Sequence, residues 1–299
     1  MAKHFRYYLG RITKGGVLTT EELIEAILDP RVIKKNNYSY TFANMEYNKE
    51  KNYIYGKLVK FLPEGEVETI EPDKHQETSI LIPHKKESSS PFILLLDYMG
   101  IAYPTVWNNL LKEQFERYFC ELIEAKYDSY FVSCTIEPIV DLRTFVERIA
   151  YLDRVEKIKA TVVPPNPLFG SAWKDLKEYM EKRKTGEVTI SEKSKNMDGI
   201  HTKIIGIMKK YVEKFASEEK EEVTIEDQQY DIGDAAILMA ADGYGNAKIE
   251  GTADSEKVII RTKDNQKSFL YDKEPDSEEF YEFVLEEFKN INNERYLRH

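Results

Sequence analysis

Large apolar and polar residues alternate in FRYYLGRI (5–12), the pattern of a half-buried strand, and Gly15-Gly16 turns the chain after it. Thr19 and Glu22 have the spacing of a capping box. Leu23, Ile24, Ile27 and Leu28 follow at helical spacing, and Asp29-Pro30 stops the helix. YSYTFANMEY (38–47), the polar NKEKN and YIYGKLVKFL (53–62) predict a β-hairpin. Residues 63–91 are polar apart from SILI (79–82), which predicts a loop or extended connection.

An alternating block comes next. FILLLD (92–97) has the uniform apolarity of a strand buried on both faces. Residues 105–125 have the period of an amphipathic helix, with Thr105 as cap after Pro104. YFVSCTI (130–136) predicts a strand, DLRTFVERIAYL (141–152) a helix capped by Asp141, and VEKIKATVV (155–163) another strand. The order β-α-β-α-β implies a compact or split β-α-β layer.

Pro164, Pro165 and Pro167 then fall within VVPPNP. Val163 before proline is held extended, Asn166 is placed to cap a helix, and Pro167 suits its first position. This is a rigid joint between a strand and a helix. Helices follow at about 168–184 and 200–216, the second with Asp198 as cap, and EVTIS (187–191) is a short strand between them. YGNAKIEG (244–251) and KVIIRT (257–262) form a second hairpin, and DSEEFYEFVLEEFKNI (276–291) a terminal helix. The fold class expected is α+β, with mixed sheets, β-α-β units and hairpins. Two domains are expected, 1–163 and 164–299, divided at the proline joint.

Composition narrows the function. The 299 residues are 41% hydrophobic and 12% aromatic, values of a folded globular protein. No apolar stretch approaches the length of a membrane span and no secretory leader opens the chain, so a soluble, cytoplasmic protein that leaves membranes alone is expected. Cys120 and Cys134 lie in apolar runs, where a thiol acts as a small hydrophobe. The net charge of −10 is unevenly spread. Residues 154–214 hold 14 Lys and Arg against 8 Asp and Glu; residues 215–299 hold 10 against 22.

Chemistry is harder to find. His4, His75, His84, His201 and His299 have no zinc-site spacing, and no Walker loop or G-x-S-x-G elbow occurs. DGYGN (242–246) leads into a strand and is expected to be a hairpin turn. Glu124 and Lys126 form an E-x-K that would need Asp97 to make a metal-dependent nuclease, but the two point apart on one helix. Asp198 and His201 could be drawn as an acid/base pair. No catalytic residue, metal ligand or cofactor is assigned.

Binding remains. Lys174, Lys177, Lys182, Arg183 and Lys184 share one predicted helix, and Lys203, Lys209, Lys210 and Lys214 lie on or near the next, preceded by Lys193 and Lys195. Such helices contact phosphates without reading sequence; equally, they are ordinary solvated faces. Trp173, Tyr179 and Tyr211 are interleaved and could stack on bases.

The N-terminal strand with its YY pair, the run TIEPIVDLRTFVERIAYLDRVEKIKATVVPPNPLF, the helix pair behind it and DGYGNAKIEG resemble, in order and spacing, the RexA-type phage-exclusion proteins and related prophage and defence proteins, KwaB-like subunits among them. The resemblance implies a non-catalytic homodimer that binds double-stranded DNA with little sequence preference during phage exclusion. The acidic C-terminal third departs from that pattern, since it repels phosphate. Two alternatives stay open: an interaction protein, in a defence complex or as a phage-encoded inhibitor, whose acidic C-terminal region docks a protein partner; and a divergent metal-dependent nuclease.

Overall fold

The computed structural model describes residues 5–73, 75–106, 110–164, 174–216, 230–272 and 275–295. Asn166, Pro165, Pro167, Trp173 and the acidic run 217–227 lie outside the described residues.

Strand β1 (Phe5–Gly16) leads into α1 (Thr20–Leu28) through the capping box, with Glu22 N–H on Thr19 Oγ1 at 3.1 Å and Thr19 N–H on Glu22 Oε2 at 2.7 Å. After β2 (Ile33–Lys35), β3 (Tyr38–Asn48) and β4 (Tyr53–Phe61) form the expected hairpin. Residues 63–91, expected as a connection, are strands instead. β5 (Glu64–Glu71) and β6 (Gln76–Pro83) form a ribbon of their own, and β7 (Lys86–Leu95) extends the buried FILLL run backwards. β6 is exposed at every position but Thr78, which removes the apolar period that marks a packed strand.

β8 (Gly100–Pro104) follows, and α2 (Lys112–Lys126) begins seven residues later than Thr105. Leu111 is its cap residue, its N–H satisfied by Gln114 Oε1 at 3.0 Å. β9 (Val132–Pro138) and α3 (Leu142–Ala150), capped by Asp141 through Thr144 N–H, match expectation. So do β10 (Arg154–Val162), β11 (Val188–Lys193), β12 (Gly245–Ala253), β13 (Glu256–Arg261) and α7 (Ser277–Arg295). Helix α4 is described from Lys174 to Arg183 and α5 from Ile204 to Ala216. Helix α6 (Ile232–Ala241) was not foreseen: IGDAAILMAA is small, apolar and without period, because it is buried all round. DGYGN joins α6 to β12, so it is a helix-to-strand turn and not a hairpin turn. Gly245 has φ +143, and a Cβ there would strike the Thr161 carbonyl of β10.

The mixed α+β fold has two main sheets. The first has order β14-β1-β8-β7-β4-β3-β2, with β14 (Ser268–Tyr271) and β9 both on β1. β8 and β9 are each antiparallel to β1 and hence parallel to each other, so β8-α2-β9 is a split β-α-β unit with β1 between its strands. Helices α1 and α2 cover one face, and α7 covers the other with Phe280, Val284 and Phe288. The second sheet has order β11-β10-β12-β13, antiparallel throughout. α3, α4, α5 and α6 share one apolar cluster with its inward residues Val155, Ile158, Ala160, Val162 and Ile249. The boundary expected at 163/164 falls between β10 and the strands that pair with it.

Candidate nucleic-acid interface

In β10 the sequence VEKIKATV sends Ile158, Ala160 and Val162 inward to the helices and Lys157, Lys159 and Thr161 outward, because side chains alternate across a strand. The neighbouring strands repeat the division. Register sets Ser191, Lys159, Lys248 and Arg261 side by side across all four strands. A second row holds Lys193, Lys157, Glu250 and Ile259, and a third Thr189, Thr161 and Asn246. Strands lie about 4.8 Å apart, so the three cations of the first row span roughly 10 Å. Every residue in these rows is exposed or half-buried.

Part of this charge is already balanced. Glu250 accepts from Lys248 at 2.7 Å and Lys257 at 2.9 Å, and these two ammonium groups hold its carboxyl down at about 2. Arg261 lies 3.5 Å from Asp264. Lys157, Lys159 and Lys193 have no ion-pair partner among the described residues. Hydroxyls fill the gaps between the cations, with Thr161 and Thr189 hydrogen-bonded at 3.0 Å.

The cations expected on helices belong to α4 and α5, which pack on the opposite, covered face of this sheet. Lys182, Arg183 and Lys184 are exposed at the end of α4, a few residues before β11 starts beside Thr161. Lys177, on the same helix, pairs with Glu181 at 3.3 Å. Lys203, Lys209 and Lys210 are exposed at and beyond the start of α5. The side chains of Lys174, Lys214 and Tyr211 lie outside the described residues. α4 packs on α6 and α5 on α3, so the two helices rest on different neighbours. Two adjoining clefts of about 490 and 540 Å³ share Asp198, His201 and Asp231. Arg154 and Lys203 line the first, Lys193 and Lys195 the second.

Asp198, expected to cap α5, lines these clefts instead. The cap is Asp234 of α6, which is 1% exposed. It accepts from Thr202 Oγ1 at 2.5 Å and from Lys203 N–H at 3.2 Å. Burial raises the Asp234 carboxyl above its ordinary value, and Asp231 adds to the effect. A folded carboxyl that holds its proton more tightly than the unfolded one is most favourable in acid, and its contribution is lost as pH rises through the folded pKa. The stability of Asp234→Asn relative to wild type should therefore improve from about pH 4 to neutrality. Thermal melts at several pH values measure this, and a pH-independent difference rejects it.

The nuclease fragment does not assemble. Lys126 is bonded to Asp29 at 2.5 Å, Glu124 accepts from Cys134 N–H at 3.0 Å, and Asp97 accepts from Asn52 at 2.6 Å. Among the described residues no three His, Cys, Asp or Glu form a group able to hold a metal ion. Cys134 is buried and Cys120 half-buried; their mutual hydrogen bond, with burial, raises the Cys120 thiol. Of the acidic C-terminal part, Glu278 and Glu282 of α7 both bind Lys51 at 2.8 Å. No described helix is long and apolar enough to cross a membrane.

Sequence reasoning missed Lys157 and Lys159, and the alternation of IKATV was the signal that could have found them. A search among curated proteins finds no match. A family model described as Domain of unknown function (DUF4747) matches residues 20–204, from α1 to the start of α5, which takes in both β10 and β11. With that match over more than half of its length, the chain belongs to the DUF4747 family.

Proposed function

We propose that this protein binds double-stranded DNA without reading its sequence and without catalysing a reaction, using the outer face of the second sheet and the exposed ends of α4 and α5. The observation that carries the proposal is the exposed or half-buried row Ser191, Lys159, Lys248 and Arg261, next to Lys157 and Lys193, which have no ion-pair partner among the described residues. Lysine, arginine, serine, threonine and asparagine are the side chains that bond phosphate oxygens. The rows carry no aromatic residue, so they offer no platform for unstacked bases and favour a duplex backbone over a single strand. Tyr179 is exposed on α4, away from these rows. The setting in phage exclusion rests on the RexA-type resemblance alone.

The test is a gel shift with duplexes of unrelated sequence at two salt concentrations. Six or more phosphate contacts make affinity fall by roughly 10³ between about 50 and 200 mM salt. Equal, salt-sensitive retention of all duplexes is expected. No retention at low salt removes DNA as the ligand and leaves a protein partner on the acidic C-terminal region as the better account.

A further inference from the structure

The β5-β6 ribbon continues the β4-β7 pair outwards from the first sheet, joined by Leu62 N–H on the Lys85 carbonyl at 2.9 Å and His84 N–H on the Pro63 carbonyl at 2.7 Å, and each of its outer edges is without a strand partner among the described residues. The two edges differ in charge. β5 carries Glu64, Glu66, Glu68 and Glu71, and charged side chains along an edge discourage addition of another strand. From Thr78 to Pro83, β6 has no charge at all, and Ile80, Leu81 and Ile82 are 51%, 59% and 39% exposed. An uncharged apolar edge is a template for a further strand.

We propose that β6 pairs antiparallel with β6 of a second copy about a two-fold axis, joining two ribbons into a four-stranded sheet. Charge along the strand selects this occupant. Glu77 stands at its acidic start, and His84, Lys85 and Lys86 follow its end. Antiparallel pairing centred on Leu81, which keeps opposed side chains on one face, brings Glu77 of each copy opposite Lys85 of the other. Parallel self-pairing would set Glu77 against Glu77. A nucleic acid on this ribbon would be repelled by the glutamates of β5. The same residues then face each other across the axis, as a two-fold interface requires. The outer face of the second sheet takes no part in this pairing, so the dimer and the DNA proposal stand or fall separately.

Sedimentation equilibrium of the full chain at micromolar concentrations tests the interface. A dimer is expected. Ile80→Lys should raise its dissociation constant at least tenfold, which is about 1.4 kcal/mol. Glu77→Lys should weaken it as well, and adding Lys85→Glu to Glu77→Lys should restore it. A chain that stays monomeric, a dimer indifferent to Ile80→Lys, or a charge swap that fails to restore pairing would each overturn the proposal. A thermal melt of Ile80→Lys confirms its fold; if that variant unfolds, the charge swap decides alone.

Discussion

Reversing Lys157, Lys159 and Lys193 together to glutamate should weaken duplex binding by at least a hundredfold at moderate salt. It should also lower the slope of log affinity against log salt by about three. These three are chosen because no carboxylate among the described residues balances them, so each is free to displace a counterion from DNA. Lys248 and Lys257 share Glu250, and part of their charge is spent on it. All three side chains point away from the apolar cluster, so the melting temperature should stay near that of wild type. The matching reversal of Lys182, Arg183 and Lys184 touches only the end of α4 and should cost less. If the helix variant loses more binding than the sheet variant, the interface lies on α4. If neither changes the shift, the cationic block is a solvated surface and the DNA reading fails.

How far the sequence could have led to this face can be judged residue by residue. Thr19 with Glu22, the β3-β4 hairpin, Asp141 at the head of α3 and the strand periods of β10 and β12 were legible because each depends on neighbours within a few positions. α6, β5, β6 and β8 were not. α6 carries no period because every side has a covering partner. β6 carries none because its residues are exposed on both faces, save the half-buried Thr78. β8 ends at Pro104, and the proline drew the expected helix start to Thr105 although α2 begins at Lys112.

The site divides in the same way. Lysines on helices stand out in a sequence, whereas Lys157 and Lys159 look like the ordinary polar half of a strand. Their exposure is decided by packing. The face opposite Ile158 stays uncovered because α3, α4, α5 and α6 all gather on one side, and β12 and β13 arrive from about ninety residues downstream to widen it. Asp234 illustrates the same limit. Asp234, about thirty residues away, leaves no local signature, whereas Thr202, whose Oγ1 accepts from Ile204 N–H at 3.1 Å, is a local signal nearer the helix start than Asp198.

The largest stability loss is expected from Arg11→Ala. Arg11 lies on β1 yet is 1% exposed, an arginine placed where an aliphatic residue would be usual. Its Nε donates to the Asp242 carbonyl at 2.8 Å and its Nη1 to the Tyr98 carbonyl at 2.7 Å. The guanidinium also stands 4.9 Å from the centre of the Tyr244 ring. Asp242 and Tyr244 belong to the turn between α6 and β12, so one side chain ties the first sheet to the second. Truncation removes both bonds and leaves the buried Asp242 with its carbonyl, and the half-buried Tyr98 carbonyl, without their guanidinium donor. Breaking such an arrangement costs about 3–5 kcal/mol. Arg11→Lys keeps the charge but cannot span two carbonyls with a planar fork, and should cost less. Because the lost contacts lie between two separate apolar clusters, the cost should appear as lost cooperativity. Calorimetry of wild type should give one endotherm, and Arg11→Ala should give two, the earlier one well below the wild-type midpoint. A single endotherm displaced by less than about 3 °C, roughly 1 kcal/mol for a chain of this size, would mean that the two sheets are held together by apolar packing and that Arg11 is incidental to their union.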